Sequence, residues 1–361
     1  MRKHAWLNSL LVVLGLAGCA TPKQTQVAPA LENIEYMGRI GTAPDGAKEL
    51  YWSGTSVKIN FEGTEVKARL KDETGKNHYN VIIDGDSTYL LKPSTSLQEY
   101  TLAAHLPQGQ HSVELFKRTE FPQGKTWFYG FDLPKGTKAL PAQSKPRKIV
   151  FYGNSISAGY AAEDYSGKDN PDSTFTNNYV SYAALTARHF NADYACICKS
   201  GIGIMVSWFP YTMPELYDRL DPNNPQSKWD FSQDSADVVV INLFQNDSWI
   251  VNQPKNDQFK RVFGTTPPNE PQIIQAYQQF VKTIRSKYPQ AQIICMLGNM
   301  DITRAGSPWP GYVQQAVAGL NDPNIHTHFE PYKNTPGHPR VEEQKKMADG
   351  LIRFIEQNIK W

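Results

Sequence analysis

The sequence predicts an antiparallel β-sandwich followed by an α/β domain with a mainly parallel sheet and helices on both faces. Three observations predict it. Apolar and polar residues alternate with period two through the first half, between turn residues. In the second half, short apolar runs alternate with segments of helical period. A Pro-, Gly- and Lys-rich stretch from Pro134 to Pro146 separates the two.

The strand-like region runs from about Glu32 to Pro134. Val57, Ile59 and Phe61 alternate, Glu62-Gly63-Thr64 turns, and Val66, Ala68 and Leu70 alternate again. Val81-Ile82-Ile83 leads into an Asp84-Gly85-Asp86 turn, and further strands are predicted at 100–102, 112–117 and 126–131. No helix is predicted here. In the second half, Ile149 to Tyr152 reads as a short strand and Asn178 to Phe190 as a helix. Val238 to Ile241 and Ile293 to Leu297 are buried strands. Ile273, Ile274, Tyr277, Phe280, Val281 and Ile284 mark one face of a helix, and 341–359 closes the chain as another. The predicted sandwich spans 32–135, the linker 136–146 and the α/β domain 147–361.

The first residues bear on the compartment. Arg2 and Lys3 precede an apolar run from Leu7 to Ala17, too short for the roughly 20 residues that span a bilayer. It fits the h-region of a secretory signal. The run ends in Leu16-Ala17-Gly18-Cys19, which resembles a bacterial lipobox with Cys19 as the lipidated residue. The expectation is a signal peptide over 1–18, a polar tether over 19–31, and an exported chain anchored in the bacterial cell envelope by lipid. Loss of 1–18 removes Arg2 and Lys3 and brings the formal net charge from +2 to zero. A neutral chain has no electrostatic reason to bind nucleic acid. Cys196, Cys198 and Cys295 are too sparse for a zinc site and read as buried free thiols.

In parallel sheets of this kind, ligands gather beyond the carboxyl ends of the strands. Tyr152-Gly153-Asn154-Ser155 follows the first strand, where a serine beside free helix N–H groups is either a nucleophile or an N-cap. Ser200-Gly201-Ile202-Gly203 follows the second, where Gly201 can offer an N–H to an oxyanion or merely make a turn. Gln245-Asn246-Asp247 follows the third, and an Asn amide can donate to an oxyanion. Gly337-His338-Pro339 precedes the last helix; alone, His338 reads as a surface loop residue.

Taken in this order, Ser, Gly, Asn and His resemble the SGNH hydrolase superfamily over roughly residues 147–361. More narrowly, the chain resembles carbohydrate esterase family 2, whose members carry a jelly-roll sandwich before a three-layer α/β/α SGNH domain. The resemblance rests on Gly153 to Tyr160, Ser181 to Arg188, Ser200 to Gly203, Val240 to Leu243, Met296 to Met300 and His338-Pro339. In the first half it rests on Phe61 to Thr64 and Ile82 to Gly85. It implies a serine esterase releasing acetate from an acetylated plant polysaccharide such as xylan or glucomannan, with no cofactor or metal. Ser155 would attack and His338 would take the proton. The Ser155 and Gly201 N–H groups and the Asn246 side chain would hold the oxyanion.

Three positions depart from the family pattern: Asn154 stands for Asp, Phe244 for Gly, and Thr335 for the Asp that orients the histidine. The expectation is therefore a Ser-His dyad with a neutral acceptor on His338 Nδ1, Glu163 and Glu330 being the carboxylates considered in its place. Trp208, Trp249 and Trp309 are candidates for sugar contact or for loop packing. Two rival readings stand beside the deacetylase: a non-catalytic glycan-binding lipoprotein, and an SGNH esterase for another acyl substrate.

Overall fold

A computed structural model describes residues 25–28 and 32–361. Cys19 and the predicted signal peptide lie outside the described residues.

The first half forms two antiparallel sheets packed face to face. One contains strands in the order Ile40–Thr42, Lys48–Leu50, Thr126–Leu133, Val66–Asp72, Gln98–Ala103. The other runs Lys138–Ala139, Ser56–Gly63, Gly109–Lys117, Tyr79–Ile83, Ser87–Leu91, with Ile34–Met37 also pairing onto Ser56–Gly63. The alternation read from the sequence is the alternation of burial. Val57, Ile59, Phe61, Val66, Ala68 and Leu70 are all buried between the sheets, with Phe128 and Phe131.

Both borders of the sandwich need correction. Thr25–Val27, expected within the polar tether, pairs antiparallel with Phe131, Asp132 and Leu133. The expected linker holds the short strand Lys138–Ala139, paired with Phe61 and Glu62, and Leu140 N–H donates to Asn60 O at 2.8 Å. In each case a neighbouring strand covers only part of the longer one, Lys48–Leu50 reaching Phe128 and Ile34–Met37 reaching Ile59, and the adjacent chain pairs with the backbone groups left over.

The second half carries one parallel five-stranded sheet in the order Ala192–Cys198, Arg147–Gly153, Val238–Asn242, Gln292–Leu297, Ile325–Phe329. Its inner strands read as unbroken apolar runs because both faces are covered. Val150, Tyr152, Val239, Ile241, Ile293 and Cys295 enter one core cluster, and Ile149, Phe151, Val238, Val240 and Ile294 enter the other. Helix Glu270–Lys287 starts with an Asn269/Gln272 capping box and buries Ile273, Tyr277, Phe280, Val281 and Ile284. The helix expected over 178–190 divides: a 3-10 turn covers Asn178–Val180, and Ser181 then caps helix Tyr182–His189 by accepting from Ala184 N–H.

The sandwich and the α/β domain are joined by buried side chains. Tyr51, Trp52 and Phe121 belong to a core cluster of the α/β domain, while Met37, Ile82 and Phe116 belong to the other. Arg39, 1% exposed, donates through Nη1 to Tyr217 O and Arg219 O at 2.7 and 2.8 Å, and through Nη2 to Tyr152 OH at 3.2 Å. Trp52 Nε1 donates to Leu220 O at 2.9 Å. Each large apolar side chain withdrawn from this interface forfeits roughly 2–3 kcal/mol. A fragment beginning after residue 140 should therefore lack a cooperative thermal transition and near-ultraviolet circular dichroism. A fragment that unfolds cooperatively near the full chain's Tm would mean that the interface is dispensable.

Candidate active site

The nucleophile position is built from a strand and the turn that stops it. Strand Arg147–Gly153 ends at Gly153, and Asn154 caps the four-residue helix Ser155–Ala158 through Oδ1, which accepts Ile156 N–H at 3.0 Å. Asn154 thus performs the capping that an Asp would perform, so this departure leaves the turn intact. Buried Gln344, on helix Val341–Asn358, accepts Tyr182 N–H and donates to Ile156 O at 3.0 Å. That contact ties the serine turn to the helix that follows the histidine.

Ser155 Oγ lies 2.8 Å from His338 Nε2. His338 Nδ1 lies 2.8 Å from Asp169 Oδ2, and His338 backbone N–H donates to both oxygens of the same carboxylate. The expected dyad is thereby corrected: a carboxylate, not a neutral acceptor, faces Nδ1. Neither glutamate supplies it. Glu163 is engaged by Arg118 and by Asn177 Nδ2, and Glu330 accepts from His328 Nε2 at 2.7 Å. Thr335 Oγ1 is turned to Glu343 and to Lys333 Nζ.

Asp169 comes from a loop that its own side chains shape. Asp164 Oδ1 accepts Ser166 N–H at 2.9 Å and Oδ2 accepts Asn170 N–H at 2.7 Å, closing the loop on itself. Asp169 sits at φ +56°, in the left-handed region that Asp tolerates better than most residues. Gly337 makes the approach possible, since a Cβ there would stand 2.6 Å from Asp169 Oδ1. Burial works to raise the Asp169 pKa. The hydrogen bonds and charge of His338, with Arg340 at 2.8 Å, outweigh it and hold the carboxyl well below its ordinary value. Asp169 therefore stays ionised wherever the enzyme would work, fixing the imidazole with its proton on Nδ1 and Nε2 free to accept.

The oxyanion candidates leave the ends of three neighbouring strands that stop at one level. Ser155 is the first residue of its helix, where a backbone N–H has no helical partner. Gly201 adopts φ +84°; its carbonyl accepts Trp208 N–H at 3.0 Å, and its own N–H meets no partner among the described residues. Asn246 Nδ2 donates to Ile202 O at 2.8 Å, while its Oδ1 accepts from Trp208 Nε1 at 3.0 Å. The amide is thus oriented with its second N–H unspent. Asp247, fully buried, accepts the N–H groups of Ile204, Met205 and Val206, which secures the loop beyond Gly201.

Phe244 takes the place of glycine and keeps its conformation, at φ +78°. Such a backbone costs about 1–3 kcal/mol for a bulky residue. Its ring is fully buried against Tyr277 and Trp309, at centroid distances of 4.8 and 5.1 Å, and that burial offsets the strain. Trp309 is accordingly 6% exposed and belongs to the core, which corrects its candidacy for sugar contact. Trp208 is 42% exposed and leans over Gly201 and Asn246. Trp249, held by Asp301 through Nε1, lines a cavity of about 230 Å³ with Arg304, Tyr332 and Gly337, beside His338. The Tyr160 ring stands edge-on to the imidazole at 5.0 Å. Among the described residues, no group of three or more His, Cys, Asp or Glu could hold a metal ion.

Asp169, Gly337, Arg340 and Tyr160 were not singled out from the sequence as contributors to this site. Gly337 and Tyr160 carried a local signal, one as the glycine directly before the histidine and the other as the end of the stretch that follows Gly153. Asp169 is 169 positions from His338, in a loop that also carries Glu163, Asp164, Lys168 and Asp172.

A sandwich leading into a parallel α/β domain, with a serine, a histidine and candidate oxyanion donors at the strand ends, defines a carboxylic ester hydrolase of the SGNH/GDSL class. The profile described as "GDSL-like Lipase/Acylhydrolase family" matches residues 151–326, and that described as "Carbohydrate esterase 2 N-terminal" matches residues 36–142. A solved family two carbohydrate esterase from Clostridium thermocellum, in complex with cellohexaose, is 30% identical with a TM-score of 0.77, covering 90% of this chain and 98% of that one. One from Cellvibrio japonicus, 23% identical with a TM-score of 0.81 over 93% and 98% of the two chains, shares the fold. The chain belongs to carbohydrate esterase family 2.

Two curated relatives are similar over most of the chain. The cellulase/esterase CelE of Acetivibrio thermocellus is 30% identical over 91% of this chain, which spans 40% of that protein's length. An acetylxylan esterase / glucomannan deacetylase of Cellvibrio japonicus is 26% identical over 93% of this chain and 91% of that protein.

Asp169→Asn should lower kcat by about 10⁴-fold, the loss known for a triad carboxylate, because an amide can favour the wrong imidazole tautomer. Thr335→Ala and Glu330→Gln should each keep at least about a tenth of the parent kcat. Steady-state kinetics on one aryl acetate ranks all three. Near-parental turnover in Asp169→Asn would return His338 to a dyad.

Proposed function

We propose that the chain is a lipid-anchored O-deacetylase of acetylated plant polysaccharide, such as xylan or glucomannan. The observation that carries the chemistry is the 2.8 Å contact between Ser155 Oγ and His338 Nε2, with Asp169 on the far nitrogen. In this reading Ser155 Oγ attacks the acetyl carbonyl while His338 Nε2 takes its proton. The carbonyl oxygen becomes an oxyanion that accepts from Ser155 N–H, Gly201 N–H and Asn246 Nδ2. His338 then returns the proton to the departing sugar oxygen, leaving acetyl on Ser155. Water, deprotonated by the same nitrogen, attacks the acyl-enzyme and releases acetate, and His338 Nε2 passes that proton to the departing Ser155 Oγ. Asp169 holds the imidazolium through both steps and remains a carboxylate.

The polysaccharide part rests on kinship. The Cellvibrio japonicus relative is an acetylxylan esterase / glucomannan deacetylase, and the Clostridium thermocellum structure holds cellohexaose. Half-exposed Trp208, beside Gly201, and the Trp249-lined cavity, beside His338, supply aromatic surface that suits sugar rings. The anchor rests on the order Arg2, Lys3, apolar run, Cys19, and would hold the enzyme at the bacterial cell envelope. No helix among the described residues is long and apolar enough to cross a membrane.

Residues 20–361 should release acetate from a small aryl acetate and from acetylated xylan or glucomannan. Ser155→Ala should reduce both by roughly 10⁴-fold or more at unchanged Tm. Glycan binding without acetate release would establish the non-catalytic reading, and preference for a long-chain ester would establish another acyl substrate. For the anchor, a labelled fatty acid fed to cells should appear on the full chain and be absent from Cys19→Ser. Equal labelling of the two would refute lipidation at Cys19.

A further inference from the structure

The sandwich sends one carboxylate into the active site. Glu120 lies in the connection between strands Gly109–Lys117 and Thr126–Leu133, directly before the 3-10 turn Phe121–Gln123. It is 7% exposed, and its side chain crosses to the α/β domain. Oε2 accepts Ser200 backbone N–H at 2.6 Å, and Oε1 accepts the Ser200 hydroxyl at 2.5 Å. Ser200 is the residue before Gly201. Two short bonds from one carboxylate fix both the peptide plane and the side chain of Ser200, as charge-assisted pairs do.

The segment from Lys199 to Val206 has no helix or strand of its own. It is gripped at two ends. Asp247 accepts three consecutive N–H groups on the far side, at Ile204, Met205 and Val206, and Glu120 grips the near side at Ser200. Gly201 lies between them with φ +84° and little side-chain substance to hold it in place. The near grip is itself immobilised by burial, since Phe121 packs edge-on against Trp52 at 5.2 Å and its ring lies 5.5 Å from Lys199 Nζ. The same ammonium stands 3.9 Å from the Phe209 ring, so a cation accompanies the carboxylate on this side of the site.

We propose that Glu120 is a positioning residue of the oxyanion hole: the sandwich sets the direction of the Gly201 N–H by clamping Ser200. The proposal rests on the reading of Gly201 as an oxyanion donor. An oxyanion donor acts only if it is aimed beforehand at the place where charge develops, and a misplacement of about 1 Å can cost about 10²-fold. Both Glu120 carboxylate oxygens are spent on Ser200 and neither is bonded to Ser155 or His338, so its loss should fall on kcat and spare ground-state binding.

The test uses the full chain carrying E120A, E120D or E120Q, with Ser155→Ala as the control, on one aryl acetate. E120A removes both contacts. E120D keeps the charge but withdraws the carboxylate by one methylene. Each should lower kcat by roughly 10- to 100-fold with KM changed less than about threefold. Inhibition by a phenylboronic acid, whose serine adduct carries the tetrahedral anion, should weaken in parallel. E120Q should restore most of kcat relative to E120A, because its amide oxygen accepts Ser200 N–H and its NH₂ donates to Ser200 Oγ. If E120A does not fold, the contrast between E120D and E120Q decides.

Full kcat in a folded E120D or E120A would overturn the clamp. So would a loss that falls on KM, or one that merely follows the folded fraction. Those results, with Ser155→Ala inactive, remove the clamp and leave the esterase standing. A parent without turnover, or an active Ser155→Ala, removes the reading on which the clamp rests.

Discussion

Everything in the site depends on the register of three parallel strands. Gly153 pairs with Cys198 on one side and with Asn242 on the other, so the strands Arg147–Gly153, Ala192–Cys198 and Val238–Asn242 end at one level. The loops that leave them carry Ser155, Gly201 and Asn246 out side by side. A parallel ladder can hold that register because side chains on both faces are buried in two separate clusters. A slip by one residue would exchange the faces of a whole strand.

The same constraint shows why the loops need carboxylates. Beyond the strand ends, no ladder satisfies the backbone N–H groups. Asp247 takes three of them, Glu120 one, and Asp169 one together with the His338 ring. In each case an acid side chain substitutes for secondary structure where the chemistry leaves no room for it. The Asp247 carboxyl shows what this costs. Burial drives its pKa up to about 6, against the pull of the backbone donors.

The sandwich is part of this arrangement as much as a neighbour to it. Arg39 satisfies the carbonyls of Tyr217 and Arg219, Trp52 is enclosed within a core of the α/β domain, and Glu120 reaches Ser200. A family defined by both halves in one chain is what such an interface requires, since neither half presents a finished surface without the other.

Much of this was legible in the residues. Period-two alternation at Val57 to Leu70 and unbroken apolar runs at Val238 and Ile293 specify which side chains meet a core, and local pattern is enough for that. Ser155, Gly201, Asn246 and His338 stand after recognisable strands or before a recognisable helix, where a parallel sheet collects its ligands, but each alone left a cap, turn or loop reading open; only their order, which resembles that of the SGNH hydrolases, picked them out together. Phe244 and Trp309 show where pattern stops. One fills a glycine's position by burying its ring on the other, so the departure from glycine and the aromatic taken for a sugar contact are a single packing event. The acid that faces His338 lay further out of reach. Asp169 occupies a loop rich in charge, and nothing in its neighbours distinguishes it from Asp164 or Asp172. Sequence by itself determined the two fold classes, the strand ends and the residues placed on them, because those follow from local periodicity. Only the tertiary structure decided which carboxylates meet His338 and Ser200, because that depends on how a loop closes and how two domains dock.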